Sequence, residues 1–195
     1  MYEPYTERLT ATDKVNFELA FGSAFQNGSP FEQPYKAFLA AIIGADMLID
    51  AAFGQVTLIN RQIQYPGVWV NEFSIGVQEA CQSMFSGSQD VQSNLVINMI
   101  MQLVVYCHDK VKVYDDGSTE FDFFRHIRHA CAHGNKFIFY SRTTGLPARW
   151  RGAEINRGSQ GYTAILGLVG IPDILLLLKD IENKLPPYAF NISLS

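Results

Sequence analysis

The stretch from Asp90 to about Cys107 restricts the fold of this chain more than any other feature. Its apolar residues would cover most of the circumference of a helix, and Ser86-Gly87-Ser88 precedes it as a break. A helix that is apolar nearly all round has to be surrounded by other elements. The sequence therefore predicts a central core helix in a helical bundle, ending before a loop at residues 115–118.

Hydrophobic periodicity and helix-capping residues predict further helices on both sides of this core helix. They span about 12–26, 34–53, 68–85, 118–134 and 172–185. Residues 137–140 and 148–155 have the pattern of two short strands, with a turn at 143–145. We therefore expect one all-α domain over residues 1–195, a bundle of five or six helices with a small β-hairpin insertion (137–165) before the last helix.

The composition indicates that much of the surface is buried, and it restricts how the chain could bind nucleic acid. Charged residues make up 17% of the chain and hydrophobic ones 48%, against about 25% charged in an average soluble domain. That deficit is typical of a chain with a large core or an oligomeric interface. The net charge of −4 excludes a global basic field, so contact with nucleic acid would need a local patch and would depend on salt.

The cysteine pattern and the N-terminal residues predict the cellular compartment of the protein. The three cysteines are odd in number and far apart: Cys81, Cys107 and Cys131. They form neither a disulfide framework nor a CxxC metal pattern, which is typical of a reducing cytoplasm. The first residues lack the pattern of a signal peptide. Asp46 and Asp50 interrupt the apolar stretch 35–59, which argues against a membrane span. We expect a cytoplasmic protein with no membrane partner.

The Arg/His cluster, residues 125–133, holds three of the four histidines and two arginines. On a helix, Arg125, His129 and His133 follow one another at i, i+4 and share one stripe, while Arg128 lies on the adjacent flank. A guanidinium binds phosphate through a bidentate fork, and an imidazole transfers protons near neutral pH. Together these two groups are the minimum set of functional groups for cleaving a phosphodiester without a metal.

Other interpretations of the Arg/His cluster stay open at the level of the sequence. Cations are favoured in the last turn of any helix, and the arginines could form structural ion pairs with Asp46 or Asp50. His129 and His133 are also spaced as two metal ligands, for which His126 or a distant aspartate would be the third.

The residues Ile-Arg-His-Ala-Cys-Ala-His-Gly at 127–134 resemble the Arg-x4-His hallmark of the HEPN superfamily (higher eukaryotes and prokaryotes nucleotide-binding). Residues 137–185 are similar, less specifically, to the segment after this motif in a bacterial subgroup of the superfamily. The resemblance implies a helical bundle that pairs as a homodimer and brings two motifs into one cleft. Many members are metal-independent endoribonucleases of toxin–antitoxin or other defence systems, and others only bind RNA or nucleotides.

The resemblance also implies roles for individual residues. Arg128 would position the scissile phosphate, His133 would transfer a proton, and His129 would orient the site. Arg125 and His126 have no fixed role in the family but would widen the positive patch if they face the cleft. From their positions beside the motif, we expect these substrate-binding residues: Arg125, His126, Asn135 and Lys136. No cofactor or metal is implied.

Three hypotheses about the function follow from the sequence. The first is a metal-independent endoribonuclease acting on RNA, with an antitoxin protein as an optional partner. The second is an inactive HEPN module that binds RNA or a nucleotide. The third is a structural dimerisation domain in which the Arg/His cluster forms interface ion pairs.

A second concentration of cations lies in residues 140–157. It comprises Arg142, Arg149, Arg151 and Arg157, with Tyr140 and Trp150 among them. One hypothesis is a flap that contacts RNA, with an aromatic ring stacking on a base. The favoured interpretation is an exposed hairpin that Trp150 anchors to the bundle. Cys131 has apolar neighbours and is predicted to be a small core residue rather than a nucleophile.

Overall fold

The computed structural model describes residues 25–52, 62–65, 73–76 and 90–191, with side chains for 25–44 and 94–190. The chain divides into two compact units, one made of residues 1–37 and 100–195 and the other of residues 38–99. The expectation of one domain over residues 1–195 stays a prediction. The predicted helix at 12–26 lies outside the described residues, except for its last two positions.

The described part of the chain is mostly helical, as predicted for an all-α fold, and includes two small antiparallel strand pairs, one of which lies in the predicted insertion. The helices are α1 (Glu32–Ala52), α2 (Asp90–Val111), α3 (Thr119–Ala132) and α4 (Ile171–Glu182). The strands are β1 (Gln62–Tyr65), β2 (Phe73–Gly76), β3 (Ala148–Trp150) and β4 (Ala153–Ile155). Within the described ranges no helix is long and apolar enough to cross a membrane.

All four described helices lie where the sequence predicts them. The core helix α2 begins at Asp90 as predicted and continues one turn further, to Val111. The bounds of α3 follow from local chemistry, because the Ser118 side chain caps its first turn by accepting a hydrogen bond from the Phe121 amide at 3.4 Å. The conformation after α3 is left-handed, with φ of 70° at Gly134, which stops the helix.

The predicted helix at 68–85 is wrong for residues 73–76, which form strand β2. This strand pairs antiparallel with β1, and Ile63 lies opposite Ile75 in the register. Both segments place β-branched or aromatic residues at alternate positions, a pattern that is typical of a strand but is too short here to exclude a helix. Pro66-Gly67, directly after β1, has the composition of a turn, and the predicted helix begins just after it.

The strand predicted at 137–140 is also wrong. The amide of Phe137 donates to the Tyr162 carbonyl at 3.0 Å, and the Phe139 amide donates to the Gln160 side chain at 2.7 Å. This segment therefore pairs irregularly with residues 160–162 and forms no regular ladder. The single strand predicted at 148–155 is instead the two strands β3 and β4, because Arg151 and Gly152 adopt positive φ angles and turn the chain.

Helix α3 packs against the β3–β4 hairpin and α4, and the hairpin is anchored by Trp150 as predicted. The indole lies 5.8 Å from the Phe123 ring, and its N–H donates to Asp180 of α4 at 2.8 Å. Arg151 forms a two-pronged ion pair with the same carboxylate, at 2.6 and 2.9 Å. The largest side chains buried in this unit are Phe31, Phe121, Phe123, Phe124, Phe137, Ile100, Ile127, Ile155, Ile165, Ile174, Leu177 and Leu178.

The end of α3 is fixed by the side chain of Asn135. Its amide nitrogen donates to the Ile165 carbonyl at 3.0 Å, and its amide oxygen accepts from the Ile165 N–H at 2.7 Å. The residue is buried and has a φ of 66°, a conformation that asparagine tolerates better than most residues. Asn135 thus closes a contact between the end of α3 and the segment before α4.

Replacing Asn135 by alanine should lower the free energy of unfolding by about 2–4 kcal/mol, because two buried backbone groups lose their partners and alanine is strained at positive φ. Urea denaturation of wild type and Asn135→Ala measures this difference. The control is Lys136→Ala at the neighbouring exposed position, expected to lie within about 0.5 kcal/mol of wild type. Equal stability of the two variants would contradict the structural role of the amide.

Candidate functional site

The orientation of helix α3 decides which residues of the Arg/His cluster are buried and which are exposed. The buried positions of the helix are Phe121, Phe123, Phe124, His126, Ile127, Ala130 and Cys131. Arg125, Arg128 and His129 therefore lie at the edge of the buried face and are half-buried, while His133 directly follows the last helical residue and is exposed. The helix thus brings Arg128, His129 and His133 together at its C-terminal end.

Arg128 is paired with Asp109 in the last turn of α2. Its Nη2 lies 3.3 Å from Oδ2 and 3.4 Å from Oδ1 of that carboxylate. The Nε atom is buried and has no hydrogen-bond partner within the described part of the chain. Sequence reasoning missed Asp109 and named Asp46 and Asp50, whose side chains lie outside the described residues. The available signal was an acidic residue beside His108, where a helix end usually carries cations.

Asp109 is shared between three cationic or titratable groups. Besides Arg128, the Lys112 ammonium and the His108 Nδ1 lie 3.6 and 3.7 Å from its Oδ1. Partial burial by itself would raise the pKa of the Asp109 carboxyl, but its bond to Arg128 and the charges of Arg128 and Lys112 outweigh this and lower it. Asp109 is therefore ionised at neutral pH.

His108 is a buried neighbour of the candidate site. Its ring lies edge-on to Phe124, with 5.2 Å between the centroids, and its Nδ1 forms no hydrogen bond within the described residues. Burial first, and then the positive charge of Arg128, lower the pKa of this imidazole. His108 is accordingly a neutral ring against the Asp109 carboxylate.

His129 and His133 lie against each other, with ring centroids 4.4 Å apart and planes tilted by 57°. Burial lowers the pKa of His129, and the charges of His133 and Arg128 lower it further, while a backbone hydrogen bond at Ile138 acts in the opposite direction. A neutral His129 can exchange a proton or a hydrogen bond with its exposed neighbour. The pair places one titratable ring in solvent and one half-buried behind it.

His126 is buried, 4% exposed, and holds the loop before β3. Its Nε2 lies 3.1 Å from the Gly145 carbonyl oxygen, which can only accept, so this nitrogen carries the proton. Phe139 contacts the ring edge-on at 5.7 Å. Burial lowers the pKa of the imidazole. This geometry gives His126 a structural role, so its prediction as a substrate contact has no support from its position.

Arg125 is held by acidic groups next to the same loop. Its guanidinium bonds to Asp122 one turn earlier, lies 3.9 Å from Asp115, and lies 3.4 Å from the Thr144 carbonyl oxygen. A side chain at Gly145 would clash with this ion pair, which explains the glycine there. Arg125 is partly exposed, but the two carboxylates offset its charge, so it adds little to a positive patch.

The two positions directly after the motif differ in accessibility. The Asn135 amide is buried and bonds to Ile165, so it faces the core and is not placed to contact a substrate. Lys136 is exposed, and its backbone pairs with Thr163. Of these two candidates, only the Lys136 side chain is accessible to a ligand.

The alternative interpretation as a metal site finds no ligand set in the described ranges, where no group of three or more histidine, cysteine or acidic side chains is arranged to hold an ion. The third ligand considered from the sequence, His126, is bonded to Gly145. Cys131 is buried, and burial raises the pKa of its thiol to about 12. This confirms the prediction that Cys131 is a core residue.

The buried histidines predict that stability falls in mild acid. A histidine whose pKa is lowered on folding, as for His126, stabilises the fold above its unfolded pKa of about 6.5, and this contribution is lost as the pH falls below that value. Urea unfolding from pH 7.5 to 5 should therefore show a declining free energy. His126→Gln, which keeps a donor for Gly145 and does not titrate, should have a shallower decline. An unchanged slope would contradict this assignment.

Comparison of the chain with protein-family models, curated proteins and solved structures gives no match. The resemblance to the HEPN superfamily therefore rests on residues 127–134 and on the less specific similarity of 137–185. The function has to be argued from the arrangement of Arg128, Asp109, His129 and His133.

Proposed function

We propose that this chain is a metal-independent endoribonuclease of the HEPN type, with a toxin or defence role. The observation that carries the proposal is the C-terminal end of α3, where an exposed imidazole, His133, lies against His129 and one turn beyond the half-buried guanidinium of Arg128. Accessible proton-transfer and phosphate-binding groups on one rigid helix end are what RNA cleavage without a metal needs.

The reaction proposed is attack of a ribose 2′-oxygen on the adjacent phosphorus. His133 takes the 2′-hydroxyl proton as the new P–O bond forms, and a proton is returned to the 5′-oxygen as its bond to phosphorus breaks. Arg128 offsets the negative charge that builds on the phosphoryl oxygens. The products are a 2′,3′-cyclic phosphate and a 5′-hydroxyl. His129, which is half-buried behind His133, orients the reacting imidazole.

A homodimer is part of the proposal. The resemblance implies that two copies of the motif face one cleft, and the low charged fraction of 17% is compatible with surface hidden in an interface. Two Arg128 side chains in such a cleft would build the local patch that a chain of net charge −4 needs in order to bind RNA. An antitoxin that covers this cleft is compatible with the proposal.

The second candidate function is an inactive module that binds RNA or a nucleotide. It is favoured by the Arg128–Asp109 pair, because a carboxylate already lies where the scissile phosphate would bind. The third hypothesis, a structural dimerisation domain, predicts His133 buried and paired. The ion pairs of Arg125 and Arg128 are compatible with that hypothesis, and in a single chain an interface histidine is exposed just as a catalytic one is.

Wild-type protein should cleave a mixed single-stranded RNA in EDTA and leave 2′,3′-cyclic phosphate ends. His133→Ala should slow cleavage about 10²–10⁴-fold, since it removes the proton-transfer group. Arg128→Ala should slow it about 10²–10³-fold, since it removes charge stabilisation. Gel analysis of end-labelled RNA with a mass measurement of the products tests both expectations.

The matched control is Arg149→Ala, which removes an exposed arginine paired with Glu154 on the hairpin and should leave the rate within about twofold of wild type. Binding at low salt without cleavage by any variant would favour the inactive module. Neither binding nor cleavage would favour the dimerisation domain. An equal loss of cleavage rate in His133→Ala, Arg128→Ala and Arg149→Ala would contradict the assignment of the catalytic site to the Arg/His cluster.

A further inference from the structure

We propose that Asp109 is a gate on the phosphate site: its carboxylate stays ion-paired with Arg128 until a substrate phosphate displaces it. This inference rests on the proposed function, and it adds regulation of the same site. It makes Asp109 a negative determinant of binding, whereas a carboxylate that only positions an arginine would be a positive one.

The geometry of the pair is that of a contact that can be displaced. A single nitrogen, Nη2 of Arg128, is shared by both oxygens of Asp109 at 3.3 and 3.4 Å, which are long distances for charged hydrogen bonds. The side chains are 31% and 42% exposed, so water and salt weaken their attraction. Arg151 and Asp180, by contrast, use two nitrogens at 2.6 and 2.9 Å.

Arg128 retains a donor that Asp109 does not use. Its Nε is buried and has no hydrogen-bond partner among the described residues. A buried donor without an acceptor costs free energy, and an anion that bonds both Nε and Nη2 removes that cost. A phosphate has three or more oxygens in a tetrahedral arrangement, and it can span these two nitrogens once the Arg128 side chain turns its shielded Nε toward the solvent. After that turn, phosphate offers the guanidinium a second charged hydrogen bond that Asp109 does not provide.

Asp109 has other partners once it leaves Arg128. Lys112 and His108 lie 3.6 and 3.7 Å from its Oδ1. A small rotation of the carboxylate would keep its charge compensated by the Lys112 ammonium while it vacates the guanidinium, and the neutral His108 ring can add a hydrogen bond from its Nδ1. In the two states of the gate, Asp109 is paired either with Arg128 of α3 or with Lys112 just after the end of α2, and no change in the backbone is required.

The test measures binding in a background that cannot cleave. His133→Ala is combined with Asp109→Asn, which keeps the side-chain shape and removes its charge, and separately with Asp109→Ser. The matched control is Glu120→Gln, because Glu120 pairs with Lys184 at 3.2 Å and the two are about one-third exposed. The probes are a fluorescent single-stranded RNA and inorganic pyrophosphate, both at low salt.

Asp109→Asn and Asp109→Ser should tighten the binding of both probes about three- to tenfold, while Glu120→Gln should change it less than about twofold. Adding Arg128→Ala should abolish the gain. Weaker binding in both Asp109 variants would overturn the gate and make Asp109 a positioning residue. An equal gain in Glu120→Gln would overturn it as a general effect of net charge.

The failure of the gate and that of the proposed function are distinguishable. If wild type cleaves RNA but the Asp109 variants bind no more tightly, the gate is wrong and the ribonuclease stands. If the Asp109 variants tighten pyrophosphate through Arg128 but no RNA is bound or cut, the gate holds for anions and the ribonuclease is wrong. If no variant binds either probe, both are wrong.

Discussion

The buried face of α3 is the constraint on which the rest of the site depends. Phe123, Phe124 and Ile127 have essentially no exposed surface, so the rotation of the helix about its axis is fixed by the core against which it packs. That rotation decides which polar residues of the motif enter the protein and which stay at its edge. His126 is carried inward, whereas His133 is placed in solvent just after the helix ends.

Burial divides the Arg/His cluster into two parts with different electrostatics. His126 and the Arg125 ion pairs hold the loop before β3, and their polar atoms are occupied by Gly145, Asp115 and Asp122. The other part consists of Arg128, His129 and His133, whose partners are exposed or exchangeable. A single helix thus uses similar side chains for structure at its middle and for the candidate chemistry at its end. The distinction follows from accessibility and hydrogen bonding, because residue type is the same in both parts.

Local patterns were sufficient to predict the helix that carries the site, but not its partners. The limits of α3 follow from capping chemistry within a few residues of Ser118 and Gly134, and the anchoring of the hairpin follows from Trp150. The Arg128 contact with Asp109 spans 19 residues and the Asn135 contact with Ile165 spans 30, so both depend on how separate elements pack. No periodicity encodes such pairings. Strand β2 was missed because its short apolar pattern fits a helix and a strand alike.

In the proposed mechanism, Arg128 and His133 form a phosphate site at the end of α3. An NMR titration with a 2′-O-methyl RNA, which lacks the attacking hydroxyl and stays intact, tests it most directly. The mechanism predicts that the guanidinium signals of Arg128 and the ring signals of His133 shift together with RNA concentration, while those of Arg149 do not. Shifts confined to Arg149 and Arg157, with Arg128 and His133 unchanged, would contradict it and move the RNA-binding surface to the hairpin.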